Sequence, residues 1–298
     1  MPIVIGSVLT TLVGATFAGY FVFGARFRSR LRRHPGFAPL KTQPAWDGVI
    51  DYAPPANPIL SEFRETHALD AVAGEGSEME RLVRVMQWAH GLTTHAPNPS
   101  RPDRMTGLYL TRLALDEGKR FNCWMFATVL NDAYLSLGFA SRIVHLWPHR
   151  ENPNESHVVT NVYSRELEKW VLMDADMCAY VTDEQGIPLG PDEIRERLIR
   201  RAPLYVSDTI QMAYASWLGK PLLKRLYLWY LSKNLFRFDC PERSEPDYET
   251  RPSGREYVHL IPDGYHDEWL SAPPVTARGN TIHYIRDPAV FWRAPGRH

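Results

Sequence analysis

The chain has 298 residues, room for one or two domains with accessory segments. Hydrophobic residues make up 44% and charged residues 23%, which excludes collagen-like, wholly disordered and highly charged architectures. Lysine plus arginine and aspartate plus glutamate number 34 each, and that balance argues against a nucleic-acid partner, which would draw a basic excess.

The run Ile3–Ala25 carries no charge over 23 residues, and about 20 helical residues cross the hydrocarbon of a bilayer. Arg26, Arg28, Arg30, Arg32 and Arg33 follow at once. A cleaved signal would carry basic residues before a shorter apolar core, so residues 1–25 read as a single-pass transmembrane anchor, ahead of a signal peptide or a buried core helix. The arginines then mark the cytoplasmic side and place the main domain there.

Residues 34–60 hold Pro35, Pro39, Pro44, Pro54, Pro55 and Pro58 and show little periodicity, so 26–76 reads as a basic juxtamembrane segment and a Pro-rich arm. Ser77–His90 repeats Leu82, Met86 and Ala89 at helical spacing and stops at Gly91. A proline-bearing loop over 92–104 leads to a second helix, Thr106–Glu117, closed by Gly118. A third runs from Asn122, a good N-cap, to Leu137, with Gly138 at its stop. The pattern then changes to three strands, Arg142–Trp147, His157–Tyr163 and Trp170–Asp174, spaced for an antiparallel meander. Beyond Gly186 the chain reads as helical, with Pro191–Arg201 and Met212–Phe236. The expected layout is a core over 77–186 and a mainly helical extension over 187–298.

Three side chains stand at chemically telling places. Cys123 opens a helix, where backbone N–H groups and the dipole favour a thiolate and can hold a developing oxyanion. His157 opens one strand and Asp174 ends the next, so antiparallel pairing sets them at one sheet edge. A thiol, an imidazole and a carboxylate make a nucleophile, a base and its orienter. Singly, each has a plain structural reading: a small buried hydrophobe, a satisfied histidine, a turn-forming aspartate. Asp176, two residues on, competes with Asp174 for the same edge. The odd count of three cysteines fits no disulfide framework, and their spacing fits no zinc pattern, so Cys178 and Cys240 read as buried thiols.

In their order these blocks resemble the transglutaminase-like superfamily, whose core is a papain-like cysteine-hydrolase fold. Asn122-Cys123-Trp124-Met125-Phe126-Ala127 is similar to its Gln-Cys-Trp-Val-Phe-Ala stretch, and Leu137 to Val144 to its Leu-Gly-Ile-Pro-Ala-Arg-Val-Val. His157 to Val162 resembles His-Ala-Trp-Val-Glu-Val, and Trp170 to Asp174 resembles Trp-Val-x-Val-Asp. The resemblance implies an α+β fold with the cysteine at a helix N-terminus packed on an antiparallel sheet. It also implies Cys123 as nucleophile, His157 as base and Asp174 as orienter. Phe121 stands where glycine is common, Val159 replaces an aromatic residue, and Asp174 is followed by Ala175-Asp176 rather than Pro-Thr.

The reading is a membrane-anchored cysteine enzyme acting on amide or peptide bonds of a peptide or protein substrate, with hydrolysis favoured over cross-linking. No acidic loop run resembles the calcium sites of animal transglutaminases, so no metal and no cofactor is expected. Gln87 and Trp88 are candidates for a second oxyanion donor, and Trp88 also reads as core. The alternative is a non-catalytic binding or scaffold domain on the same fold. A further reading gives Lys233, Asn234 and Arg237 a place in a substrate groove, against packed helix with a solvated polar face. For the anchor, the full chain should fractionate with membranes and resist carbonate extraction, while protein lacking the apolar run stays soluble. Soluble full-length protein with an intact N-terminus would refute the anchor.

Overall fold

The computed structural model describes residues 25–38, 46, 48–150, 155–271, 275–277 and 279–296. The expected anchor falls almost wholly outside them. Among the described residues no helix is long and apolar enough to cross a membrane.

Helix α1 (25–33) is followed by β1 (Asp51–Tyr52), α2 (Pro58–Thr66) and α3 (Leu69–Ala73). Next come α4 (Glu78–Gly91), α5 (Gly107–Glu117) and α6 (Cys123–Ser136). Strands β2 (Ser141–Trp147), β3 (His157–Ser164) and β4 (Lys169–Met173) form the antiparallel meander. After β5 (Val181–Thr182), α7 (Pro191–Arg200) and β6 (Tyr205–Val206), the helix α8 (Lys220–Asn234) leads into β7 (Arg237–Pro241). Then follow β8 (Arg243–Ser244), β9 (Glu256–Leu260), α9 (Glu268–Ser271), β10 (Val275–Ala277), β11 (Asn280–Ile285) and α10 (Pro288–Phe291).

Seven strands form one sheet in the order β10-β11-β9-β7-β2-β3-β4, antiparallel except where β11 runs parallel to β9. The extension beyond 187 is therefore not only helical. It supplies β7, β9, β10 and β11 to the same sheet, because the open edge of β2 offers unpaired backbone groups that β7 satisfies. Likewise 58–73 is not a loose arm: two short helices bury Leu60, Phe63 and Leu69. Pro58 sits in the first turn of α2, where its missing N–H costs nothing. The basic segment docks too. Leu31 is buried, Phe27 packs by Trp229, and the Arg195 guanidinium donates to the carbonyls of His34 and Pro35.

Alternation along the strands divides the core. Val162, Val171 and Met173 face α4, α5 and α6, while Val144, Leu146, Val159 and Leu172 face the layer containing α7 and α8. Helix α6 is buried on every side from Met125 to Ser136, as a central helix must be. Its interior polar groups have partners. Gly107 N–H donates to Asp132 at 2.7 Å, Asn131 donates to Ser244 at 3.0 Å, and Ser141 donates to Asn131 at 2.8 Å. Gly107 permits that approach, since a Cβ there would lie 2.5 Å from the Phe63 ring. Burial pushes the Asp132 carboxyl up to about 7.

Arg142 on β2 is fully buried among Trp170, Phe291 and Trp292, with its guanidinium 4.4 Å, 4.9 Å and 5.1 Å from their ring centres. It donates to the Phe291 carbonyl at 2.8 Å. The C-terminal turn is thus fastened to the central sheet by a desolvated cation on aromatic faces, a contact worth about 2 kcal/mol. Arg142→Ala should lower unfolding stability by about 3–5 kcal/mol, because it leaves both a cavity and an unpaired carbonyl. Guanidinium unfolding of the two proteins checks this, with a change under about 1 kcal/mol as the contrary result.

Candidate active site

Asn122 has extended backbone and its side chain accepts from Met125 N–H at 3.1 Å, which fixes the start of α6 and leaves Cys123 in its first turn. Cys123 and Trp124 rest on Ala127, Ile143 and Val158, so the helix start sits over the sheet. Cys123 is partly exposed, whereas His157 and Asp174 are at 0%. The thiol is the member of the set that solvent reaches.

His157 opens β3 opposite Leu146, and its Nε2 lies 2.6 Å from Asp174 Oδ2. Asp174 Oδ2 also accepts from the Tyr227 hydroxyl at 2.9 Å, and Oδ1 accepts from Met177 N–H at 3.0 Å. Burial and the Asp174 charge raise the Tyr227 phenol well above its ordinary value, so it stays a donor. Tyr230, one turn along α8, packs edge-on against the His157 ring at 4.9 Å. Burial opposes charge on that ring, but the Asp174 carboxylate and the Cys123 thiol outweigh it and hold His157 well above an ordinary imidazole. Nδ1, the nitrogen Asp174 does not take, is buried and makes no hydrogen bond among the described residues.

Cys123 Sγ, a ring nitrogen of His157 and a carboxylate oxygen of Asp176 lie within 4.8 Å of one another. The structure thus brings Cys123, His157 and Asp174 together as one connected set, and adds Asp176 on the thiol side. The turn carrying both aspartates is tied back by Asp174–Ala179 backbone pairing, by His90 Nδ1 at 2.9 Å from the Ala175 carbonyl, and by His95 Nδ1 at 2.8 Å from Asp176 Oδ1. Cys178 lies in the helical-layer core and Cys240 on β7, both buried and free, and burial pushes each thiol up to about 12.

The other sequence candidates go elsewhere. Gln87 faces solvent and Trp88 packs on Phe63 and His67; the α4 residue that reaches the site is His90. Lys233 pairs with Glu155 at 3.4 Å, Asn234 is buried at the end of α8, and Arg237 lies over Trp147. None of these contacts involves Cys123, His157 or Asp174. What the sequence reading missed is Tyr227, Tyr230, His90 and His95. Only the three-residue spacing of the two tyrosines, one helical face, hinted at a shared task. Cavities of about 170 Å³ and 950 Å³ open by α1 and by the far end of α6, and neither is lined by Cys123, His157 or Asp174.

Residues 66–175 match the family described as the transglutaminase-like superfamily. Among solved structures the chain is similar to "a Putative Cysteine Protease from Cytophaga hutchinsonii", at 12% identity and a TM-score of 0.32, over 55% of this chain and 59% of that one. The chain therefore spans about three fifths of that relative's length. A comparison with curated proteins gives no match.

The geometry makes a pH prediction. A histidine whose folded value is raised contributes stability that is fully present below about 6.5 and is lost as pH rises through the raised value. His157 should therefore stay protonated at neutral pH by imidazole NMR. Adding Asp174→Asn should make it titrate about 1–3 pH units lower and flatten that loss of stability. An unchanged titration would show that Asp174 does not hold the ring's charge. The matched segment, residues 66–175, is thus similar in sequence to a transglutaminase-like superfamily core.

Proposed function

We propose that this chain is a cysteine acyl-transfer enzyme that cleaves amide bonds. The observation that carries the reading is the division of the His157 ring: Asp174 holds Nε2, and Nδ1 is left for the one thiol that solvent reaches. Cys123 Sγ, as the thiolate of a pair whose proton rests on His157 Nδ1, attacks the carbonyl carbon of the substrate amide. The Cys123 backbone N–H, in the first helical turn and without an intrahelical acceptor, faces the developing oxyanion. His157 then protonates the leaving amine, and the thioester remains on Cys123. Water, deprotonated by the same nitrogen, releases the acid. Asp174 holds the ring's orientation through Nε2.

Hydrolysis is favoured over transfer to an amine because it needs water alone to reach the thioester, while an amine acceptor needs a second docking surface. The substrate class is a peptide or protein side chain or backbone amide. On the apolar run before Arg26 and the basic residues after it, the domain works at a membrane surface, on its cytoplasmic side.

Thiol reactivity tests the reading. Iodoacetamide with peptide mapping should modify Cys123 at least about tenfold faster than a free cysteine at neutral pH, where only a few per cent of an unperturbed thiol is ionised. Cys178 and Cys240 should stay unmodified in the folded protein, since burial keeps both protonated. His157→Ala should bring Cys123 back toward the free-thiol rate, and Asp174→Asn should fall between. If Cys123 reacts no faster than a free thiol and His157→Ala changes nothing, the fold serves as a binding or scaffold domain instead.

A further inference from the structure

Asp176 has no part in the mechanism above, yet its surroundings are specific. The residue is 4% exposed. Oδ1 is engaged by His95, and Oδ2 is buried with no hydrogen-bond partner among the described residues. An oxygen of this carboxylate lies within 4.8 Å of both Cys123 Sγ and a His157 ring nitrogen. A buried carboxylate oxygen without a donor is costly, and its presence calls for an explanation.

We propose that Cys123, His157 and Asp176 form a binding site for one Zn²⁺ ion, and that the ion switches the thiol off. Thiolate, imidazole and carboxylate together are a zinc donor set, whereas calcium and magnesium take oxygen ligands. Tetrahedral zinc with bonds of about 2.0–2.3 Å holds such donors roughly 3.3–3.6 Å apart. The three atoms need close by at most about 1.5 Å from their present spacing, which side-chain rotation of the partly exposed Cys123 and of Asp176 can supply. The fourth position falls on the solvent side of Cys123 and is left to water.

The supporting groups are in place. A metal-bound imidazole is oriented when its other nitrogen donates to a carboxylate, and Asp174 does this for His157 at 2.6 Å. His95 does the same for the carboxylate ligand at 2.8 Å. Tyr227 and Met177 N–H hold Asp174 in turn. The three ligands come from the start of α6, the start of β3 and the turn after β4, which is why linear spacing conceals them. On binding, Zn²⁺ takes the thiolate and the neutral imidazole, and the one proton that the pair carries leaves to solvent. With the sulfur lone pair and Nδ1 both committed to the ion, neither attack nor proton transfer is open.

The proposal shares Cys123 and His157 with the enzyme reading, so its test reads metal binding without turnover. The full-length protein, stripped with a chelator, is titrated with Zn²⁺ alone while iodoacetamide labelling of Cys123 is followed. Co²⁺ in place of zinc reports the ligand set by its thiolate-to-cobalt absorption. Zn²⁺ should protect Cys123 reversibly, and Co²⁺ should give the thiolate band with tetrahedral visible absorption. Asp176→Asn, checked for fold by circular dichroism, should raise the zinc concentration for half-protection about 10–100-fold relative to its own metal-free rate. Should that variant not fold, His95→Gln should shift half-protection in the same direction by a smaller factor. Unchanged labelling at millimolar zinc would overturn the site, as would equal protection in Asp176→Asn, which would place the ion on the thiol and imidazole alone. Slow labelling of the metal-free wild type would count against the enzyme reading, while the cobalt spectrum would still decide the metal site.

Discussion

A carboxylate taken out of water must have its charge answered by donors, and that requirement at Asp174 organises the chain around it. Its two oxygens are met by the His157 ring, the Tyr227 hydroxyl and the Met177 N–H, which come from β3, α8 and the turn after β4. Removing one donor from such a site costs about 1–3 kcal/mol or more, so these elements cannot drift independently. The imidazole inherits its orientation from this arrangement. Tyr230 adds a T-shaped ring contact with His157, and the same helix that brings Tyr227 brings it. Helix α8 lies outside the matched segment 66–175, so the hydrogen-bond shell of Asp174 is completed by chain that the match does not include.

A second constraint places the thiol. Helix α6 can be buried on all sides only if its polar residues are satisfied internally, and Asn131, Asp132 and Ser136 each have a partner. A helix so enclosed presents little but its N-terminus to solvent, and Cys123 is there. The sheet under it is widened by β7, β9, β10 and β11, and Arg142 fastens the last turn of the chain onto β2. The arginine that the sequence shares with the superfamily's Leu-Gly-x-x-x-Arg block has, in this chain, a packing task within the aromatic cage of Trp170, Phe291 and Trp292.

Local signals in the sequence were strong where an element is long and capped. Ser77 with Glu80 forms a capping box at the start of α4, Thr106 caps α5 and Asn122 caps α6, and each of these ends is readable from residue type alone. The three strands of the meander were legible to within a residue or two, because β-branched runs there are bounded by turn residues. Helices α2 and α3 were not legible: 9 and 5 residues are too few to show a hydrophobic period, and six prolines nearby suggested a loop. Strand β7 follows α8 after two residues with no glycine or proline between, so no punctuation marks the change of period. His90 and His95 reach the site across more than 80 residues of sequence, and a contact of that range leaves no local trace.

The two aspartates of the turn show how backbone geometry assigns different tasks to neighbours of the same type. On a continuing strand, side chains two apart would share a face and compete for one imidazole. Strand β4 stops at Met173, and the chain closes on itself through Asp174–Ala179 pairing with Cys178 at φ +48°. A left-handed backbone at a residue with a side chain costs about 1–2 kcal/mol, and here it is bound into a turn held at both ends. The curl turns Asp174 toward α8 and His157, and Asp176 toward His95 and the thiol. One carboxylate is then fully supplied with donors, while the other has an oxygen that makes no hydrogen bond among the described residues, beside a sulfur and a nitrogen. A fully supplied carboxylate can only hold its neighbour in place. A carboxylate with a vacant oxygen in a buried site is poised to bind a cation, and this difference in donor supply, rather than residue type, separates an orienting aspartate from a ligating one.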